Sequence, residues 1–223
     1  MLLFDIGANR GDAVVAGLAR GFDKIIALEP APKMFFMLHN NFRDDKRVIP
    51  LKFAVSDSNN EKIEFYECVE DGLSTIEKSW LTGEGALYAG KEFRTIKAIT
   101  CTIDRLVEKY GNPDLVKIDV EGAESQVFAG MTCKPKQLCF EWSLFTLDQH
   151  LEQLKRLRDV NEYTEFALQY ITDHLVEPLL YRPMSMIDSL PQWIEDTTPA
   201  WENGGWLKYG HRQTADVGMI WVK

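Results

Sequence analysis

The sequence predicts an α/β fold built on a mostly parallel sheet that has helices on both of its faces. Short apolar runs rich in β-branched residues alternate with segments in which apolar residues recur at helical spacing. Parallel strands are covered on both faces and therefore appear in a sequence as continuous apolar runs. The length of 223 residues suits one domain with a full hydrophobic core.

Seven apolar runs predict the strands of this sheet, and four stretches between them predict helices. The predicted strands are residues 2–6, 25–28, 48–55, 115–120, 138–142, 165–171 and 216–222. The predicted helices are residues 13–19, 34–42, 104–110 and 144–160. Gly21 and Gly111 are expected to end the first and the third helix.

Residues 61–101 interrupt this alternation. Residues 62–68 alternate between polar and apolar like a strand with one face in solvent, and residues 95–101 predict a second strand after a glycine-rich stretch. We expect an insertion of β-hairpin and loop, because the segment shows no apolar core of its own.

Composition and charge exclude several classes of protein. Lys and Arg number 25 against 34 Asp and Glu, which gives a net charge of −9 and disfavours a nucleic acid as the main partner. No segment has the length and apolar character of a membrane span. The four cysteines lack metal-ligand spacing and predict reduced thiols, so we expect a cytoplasmic protein.

The segment DIGANRG, residues 5–11, ends the first strand and begins the first helix. Gly7 and Gly11 allow a tight turn and close approach to a ligand, and Asp5 offers a carboxylate there. Asn9 replaces the second glycine of the dinucleotide fingerprint, which leaves less room for two phosphates. Glu29 ends the second strand, where an acidic side chain binds ribose hydroxyls. These residues predict a nucleoside pocket without a pyrophosphate.

The segment VKIDVEGAE, residues 116–124, is a second motif, in which the predicted strand 115–120 runs into a turn and a helix. Ligands of open parallel sheets bind at the carboxyl ends of the strands, so Asp5, Glu29, Ser56 and Asp119 are expected to converge. Glu141 ends the next strand and would supply a second carboxylate beside Asp119. Such a pair suits either a divalent metal ion or a shared hydrogen bond, and the sequence leaves both open.

Five segments resemble, in this order and spacing, the FkbM family of S-adenosylmethionine-dependent methyltransferases. They are residues 5–11, 27–30, 54–57, 102–106 and 117–124, of which the last is the specific one. The resemblance covers roughly residues 2–145. It implies a Rossmann-like, seven-stranded, class I methyltransferase sheet and O-methylation, commonly of a sugar or polyketide hydroxyl.

The resemblance also implies a domain plan and site roles. We expect one methyltransferase domain, 1–223, with a cofactor-binding core at about 1–145, the insertion near 61–101, and a part at about 146–223 that completes the sheet and caps the acceptor site. The residues implied to bind the cofactor are Asp5, Gly7, Asn9 and Gly11 at its methionine end, Glu29 at the ribose, Val55 and Ser56 at the adenine, and Asp119 near the methyl group.

An aliphatic hydroxyl is a weak nucleophile, so the acceptor needs a base or a metal ion nearby. The available groups are Asp119, Glu121, Glu141, His150, His174 and His211. Asp119 is the first candidate, and Glu141 or a histidine such as His150 is the second. Each also has a structural explanation, because a carboxylate can cap a helix and a histidine can belong to the core.

Several alternatives remain open at this stage. The predicted acceptor is a sugar within a glycan, such as the deoxyhexoses rhamnose or fucose, but a polyketide, a lipid or a nucleic acid remains an alternative. An NAD-dependent oxidoreductase shares the sheet but would favour glycine in place of Asn9. Four aromatic residues suit either a core or a wall that stacks on a sugar, namely Trp193, Trp201, Trp206 and Tyr209. A divalent metal and the oligomeric state are left open.

Overall fold

The structure is a computed structural model, which describes residues 1–69, 73–82, 89–143, 147–169, 175, 180–192 and 217–223. The chain divides into two compact units, Met1–Leu138 and Cys139–Lys223.

The first unit contains a parallel sheet in the order β3-β2-β1-β7. Its strands are β1 (Leu2–Ile6), β2 (Lys24–Leu28), β3 (Val48–Leu51) and β7 (Leu115–Ile118). Its helices are α1 (Asp12–Ala19), α2 (Pro32–Phe42), α3 (Ile103–Tyr110) and α4 (Glu124–Ala129). The centre of the sheet is buried on both faces, as its continuous apolar runs predict.

Strand β1 lies between β2 and β7, and this position creates a switch point. Asp5 pairs with Ala27 on one side and with Lys117 on the other. The chain runs from β1 through β2 to β3 on one side of β1 and then returns to β7 on its other side. Ligands of open parallel sheets bind outside the carboxyl ends of the strands at such a point.

Helix boundaries follow from local chemistry. Helix α2 has Pro32 in its first turn, where the missing N–H costs nothing. The Thr102 hydroxyl caps α3 by accepting a hydrogen bond from the Arg105 amide at 3.1 Å, and α3 ends at Gly111 as expected.

The insertion and the short strand before it form a second sheet in the order β4-β6-β5. Its strands are β4 (Ala54–Val55), β5 (Lys62–Cys68) and β6 (Phe93–Cys101), and β5 pairs with β6 as an antiparallel hairpin. The prediction of a solvent-facing strand was wrong for the second half of β5, since residues 65–68 are all buried. Phe65 packs with Met34 of α2, and Tyr66 and Cys68 pack with Leu81. The insertion therefore does have apolar clusters, one of which it builds on α2.

The second unit has strands in the order β8-β11-β9-β10, and β11 and β10 both pair antiparallel with β9. These strands are β8 (Gln137–Ser143, whose first two residues belong to the first unit), β9 (Glu165–Gln169), β10 (Arg182–Pro183) and β11 (Val217–Val222). Helix α5 is Leu147–Asp159, and a 3₁₀ helix spans Met184–Ser189. Gln169 joins two buried indoles, because Trp221 donates to its Oε1 and Trp142 to its carbonyl.

The predicted α/β class with a mostly parallel sheet is confirmed, and each of the seven predicted strands has a counterpart. The predicted strand 48–55 splits into β3 and β4, and β10 was not predicted. All four cysteines are free thiols. No helix in the described ranges is long and apolar enough to span a membrane. His174, His211 and the four aromatic residues at 193, 201, 206 and 209 lie outside the described residues.

Candidate functional site

Asp5 is a fully buried carboxylate close to the end of β1, at the switch point. Its oxygens accept no hydrogen bond from the described residues, and Oδ1 has only the ion pair with the Lys117 ammonium group, at 3.5 Å. Burial raises the pKa of Asp5, and the nearby Lys117 partly opposes this rise. A buried polar group without a partner is costly, so Asp5 is suited to a donor that arrives with a ligand.

The turn after β1 depends on a glycine. Gly7 has a φ of +76°, and a Cβ atom there would lie 1.8 Å from the carbonyl oxygen of Asp119. The amides of Gly7 and Ala8 donate to the Leu28 carbonyl at 3.0 and 2.9 Å, which ties the turn to β2. Gly11 precedes α1 and packs against the ring of Phe42.

Glu29 follows β2 and is held in place by the backbone. Its Oε2 accepts a hydrogen bond from the Asn9 amide at 2.9 Å, and its Oε1 accepts one from the Ala31 amide at 2.8 Å. Asn9 has a left-handed backbone with a φ of 49°, and its buried Oδ1 has no partner among the described residues. Burial raises the pKa of Glu29 to about 7, although both amides oppose this rise. Each oxygen retains acceptor capacity for a ligand hydroxyl.

Lys117 is a site residue that the sequence analysis missed. Its Nζ lies 3.1 Å from Oδ2 of Asp119 and 3.5 Å from Oδ1 of Asp5, and it donates to the Gly7 carbonyl at 3.2 Å. The side chain is only 9% exposed. One ammonium group therefore links the carboxylates of β1 and β7 with the turn between β1 and α1.

Asp119 begins a tight turn between β7 and α4, and its side chain is 28% exposed. Glu121 and Gly122 have left-handed backbones, with φ of 55° and 92°. A Cβ on Gly122 would lie 2.1 Å from the Trp80 indole, so this position also requires glycine.

Glu124 stabilises this turn from within. Its Oε1 accepts from the amides of Val120 and Gly122 at 3.3 and 3.4 Å, and burial raises its pKa to about 7. The inserted segment fixes the turn from outside, since the buried Thr75 hydroxyl donates to the Glu121 carbonyl at 2.7 Å. The specific motif of the sequence is thus a rigid support for Asp119.

Val55 ends β4, Ser56 follows it, and both residues are buried. The Ser56 amide donates to the Cys101 carbonyl at 3.0 Å, and its hydroxyl lies 3.2 Å from Oδ1 of Asp57. The Ser56 carbonyl packs against Gly130 after α4. These contacts locate both residues in the second sheet of the first unit, and their role at the adenine stays a prediction.

Glu141 and His150 belong to the second unit. Glu141 lies on β8 and is half-buried. His150 is buried in α5, where its Nδ1 is 2.9 Å from Oε1 of Gln153 and its ring lies against Phe140. This is the arrangement of a core histidine. Catalysis by either residue, and a metal ion held by Asp119 and Glu141, stay predictions.

The first unit thus gathers three carboxylates and one ammonium group. Asp5, Glu29 and Asp119 supply the carboxylates, and the Lys117 ammonium group lies beside those of Asp5 and Asp119. Of the site residues predicted from the sequence, contacts connect Asp5, Gly7, Asn9, Glu29 and Asp119. The arrangement suits a ligand that has both a cationic group and vicinal hydroxyls.

Comparison with known proteins gives a match to a family model, the Methyltransferase FkbM domain, over residues 5–174. A curated relative, the hexuronic acid methyltransferase AglP of Haloferax volcanii, is 33% identical over 135 residues, which are 59% of this chain and 50% of the relative. The matched region thus spans half the length of that relative.

Solved structures with similar chain traces include an S-adenosylmethionine-dependent O-methyltransferase from Thermotoga maritima, with a TM-score of 0.44 and 12% identity over 99% of this chain and 58% of the other. A precorrin-6y C5,15-methyltransferase from Geobacter metallireducens has a TM-score of 0.43 and 12% identity over 100% of this chain and 79% of the other. Likeness at this level adds nothing to the strand order described above.

Proposed function

Because the chain belongs to the FkbM methyltransferase family, we propose that it transfers a methyl group from S-adenosylmethionine to a hydroxyl oxygen of a sugar. The observation that carries this proposal is the buried carboxylate of Asp5, whose oxygens have no hydrogen-bond partner in the described structure. It lies at the switch point of a parallel sheet, where a ligand is expected.

The residues of the first unit fit this cofactor. Asp5 would bind the ammonium group of the methionine part, and the left-handed turn at Gly7 holds the loop after β1 against the Asp119 carbonyl. Glu29, already aligned by two amides, would accept the two ribose hydroxyls. When bound, the cofactor supplies a methyl group whose bond to sulfur breaks as the bond to oxygen forms, with the electron pair kept by sulfur.

The chain's own residues would align the acceptor and receive its proton. Asp119 is partly exposed, so its carboxylate can accept a hydrogen bond from an acceptor hydroxyl that arrives from solvent. The turn 119–124 is fixed by Glu124 and Thr75, which limits the freedom of the Asp119 backbone. A rigid support of this kind favours orientation of the hydroxyl toward the methyl carbon.

A sugar is favoured as the acceptor by two observations. The relative that shares 33% identity is named a hexuronic acid methyltransferase. The net charge of −9 weighs against a polyphosphate such as RNA or DNA. We therefore propose a hexuronic acid or a deoxyhexose within a glycan as the acceptor.

The test is incubation with methyl-labelled S-adenosylmethionine and a panel of acceptors, followed by mass spectrometry. The panel contains hexuronides, deoxyhexosides, a polyketide alcohol, a lipid alcohol and RNA. Methyl transfer to a glycoside hydroxyl is expected. Transfer to RNA, or to none of the sugars, would overturn the proposed acceptor.

Asp119→Asn tests the role of the carboxylate. We expect methyl transfer to fall at least about a hundredfold, the lower range for loss of acid–base catalysis, while S-adenosylhomocysteine still binds. Transfer at the wild-type rate would remove Asp119 from the mechanism. Glu141→Gln and His150→Asn, compared in the same assay, decide between the remaining candidates.

A further inference from the structure

Lys117 occupies an unusual position for a lysine. It lies inside the central parallel sheet, with apolar and fully buried neighbours along β7. Lysine is rarely buried unless it is paired. Here its ammonium group contacts two carboxylates and one carbonyl oxygen, all at the ends of β1 and β7.

We propose that Lys117 is a positioning residue that offsets the carboxylate charge around the reacting sulfur, and thereby sets how strongly the site prefers the sulfonium cofactor over the thioether product. This inference rests on the proposed function, since it concerns the charge of that cofactor. It goes beyond that function because it assigns a task to a residue that binds neither sugar nor ribose.

The charges around Lys117 support this role. When Asp5 and Asp119 are both ionised they carry two negative charges, of which Lys117 cancels one, and Glu121 places a further carboxylate within 4.8 Å of Asp119. Asp12 and Glu29 also act on Asp5 or Lys117 from the neighbouring elements, and both are acidic. Lys117 is therefore the one cation that the described contacts place on Asp5 and Asp119.

The reaction removes one positive charge from this place, because S-adenosylmethionine is a sulfonium and S-adenosylhomocysteine is a neutral thioether. An unbalanced pair of carboxylates would bind the cation tightly and oppose the loss of its charge. Lys117 weakens the preference of the site for the sulfonium cation. A weaker preference favours the transition state, in which that charge is being lost, and it also favours exchange of product for cofactor.

The experiment measures dissociation constants of S-adenosylmethionine and S-adenosylhomocysteine by calorimetry, without acceptor. In Lys117→Met, we expect the dissociation constant of S-adenosylhomocysteine, divided by that of S-adenosylmethionine, to rise about tenfold. The reason is that one carboxylate charge is then left uncompensated in a partly screened site and attracts the sulfonium cation. Lys117→Gln keeps a donor for the Gly7 carbonyl and should show the same rise. Asp119→Asn, which removes a negative charge, should lower the ratio.

Lys24→Met is the matched control. Lys24 begins β2 at the opposite end of the sheet, where it lies over the Tyr110 ring, so the variant loses the same charge far from the site. Its ratio should equal that of the wild type. Thermal unfolding of each variant reports whether it is folded.

The outcomes separate the two claims. If the wild type binds neither ligand, the proposed function fails. If the wild type binds both ligands and the ratio is unchanged in every folded variant of Lys117 and Asp119, the role of Lys117 is overturned. A simple loss of packing weakens both ligands equally and leaves the ratio unchanged, so it counts against the inference as well.

Discussion

Protonation of Glu29 is expected to control cofactor binding between pH 6 and pH 8. Burial raises the pKa of this carboxyl to about 7 in the free protein. The ionised form accepts hydrogen bonds through both oxygens from the amides of Asn9 and Ala31. In the proposed site, it would accept two more from the ribose hydroxyls of the cofactor. Ligand binding therefore favours the ionised form and lowers the pKa.

The size of the effect follows from the fraction of Glu29 that is ionised. A group with a pKa near 7 is about one-tenth ionised at pH 6 and about nine-tenths ionised at pH 8. S-adenosylhomocysteine should therefore bind about tenfold more weakly at pH 6 than at pH 8, a difference of about 1.4 kcal/mol in the free energy of binding. Binding should release about 0.9 proton at pH 6 and about 0.1 proton at pH 8.

The assay is titration calorimetry at pH 6, 7 and 8, in pairs of buffers that differ in ionisation enthalpy, so that the protons released are counted directly. Glu29→Gln should bind weakly and show no dependence on pH across this range. Glu124→Gln is the matched control, because Glu124 has a similarly raised pKa but uses its carboxylate on the turn after β7. That variant should keep the tenfold dependence.

Two results would refute the reasoning. One is a wild-type affinity that does not change between pH 6 and pH 8. The other is the same pH dependence in Glu29→Gln as in the wild type, which would assign the proton to another group.

Three further predictions concern the first unit. Gly7→Ala should lower the free energy of unfolding by about 2 kcal/mol or more, because the left-handed backbone and the Asp119 carbonyl at 1.8 Å leave no place for a methyl group; a loss under about 0.5 kcal/mol in urea titration would contradict this. Asp5→Asn should leave stability unchanged or raise it by about 1 kcal/mol, since a buried charge disappears, while affinity for S-adenosylhomocysteine falls at least about tenfold; unchanged affinity by calorimetry would remove Asp5 from the site. The pKa values of Glu29 and Glu124 are both raised from 4.5 to about 7, so the folded protein holds these protons more tightly than the unfolded chain does. The stability that each carboxyl group contributes is therefore fully present below pH 4.5, and up to about 3 kcal/mol of it is lost as the pH rises to 7. Urea titrations at pH 5 and pH 7 should show this decline in the free energy of unfolding, and Glu29→Gln should reduce it.

The strands could be predicted from the sequence because their pattern is local. A parallel strand buried on both faces is a continuous apolar run, and the strand at residues 2–6 was predicted at its observed bounds. The predicted strand 48–55 combined two strands into one, since the chain leaves β3 at Leu51 and enters a different sheet at Ala54. No local pattern records that change of partner.

The acidic site residues were predictable because they come at the ends of strands. Lys117 was not, because its role depends on register: β7 pairs Lys117 with Asp5 across the sheet, and pairing of distant strands is not visible in one sequence. A signal existed, however. A lysine within an apolar parallel strand, two residues before Asp119, must be paired to be buried.

The support of the turn after β7 was also beyond local prediction. Thr75 and Trp80 contact this turn from more than 40 positions away, and the sequence places them in a glycine-rich stretch without a pattern. Burial of Glu67 in β5 has the same origin, since Arg94 of β6 and the amide of Lys33 both bind its carboxylate.

The central claim is that the site binds S-adenosylmethionine and not a dinucleotide, and its most direct test is a pair of calorimetric titrations of the same protein, one with S-adenosylhomocysteine and one with NAD. We expect one site for S-adenosylhomocysteine, weakened in Glu29→Gln, and no heat of binding for NAD. Binding of NAD alone would contradict it.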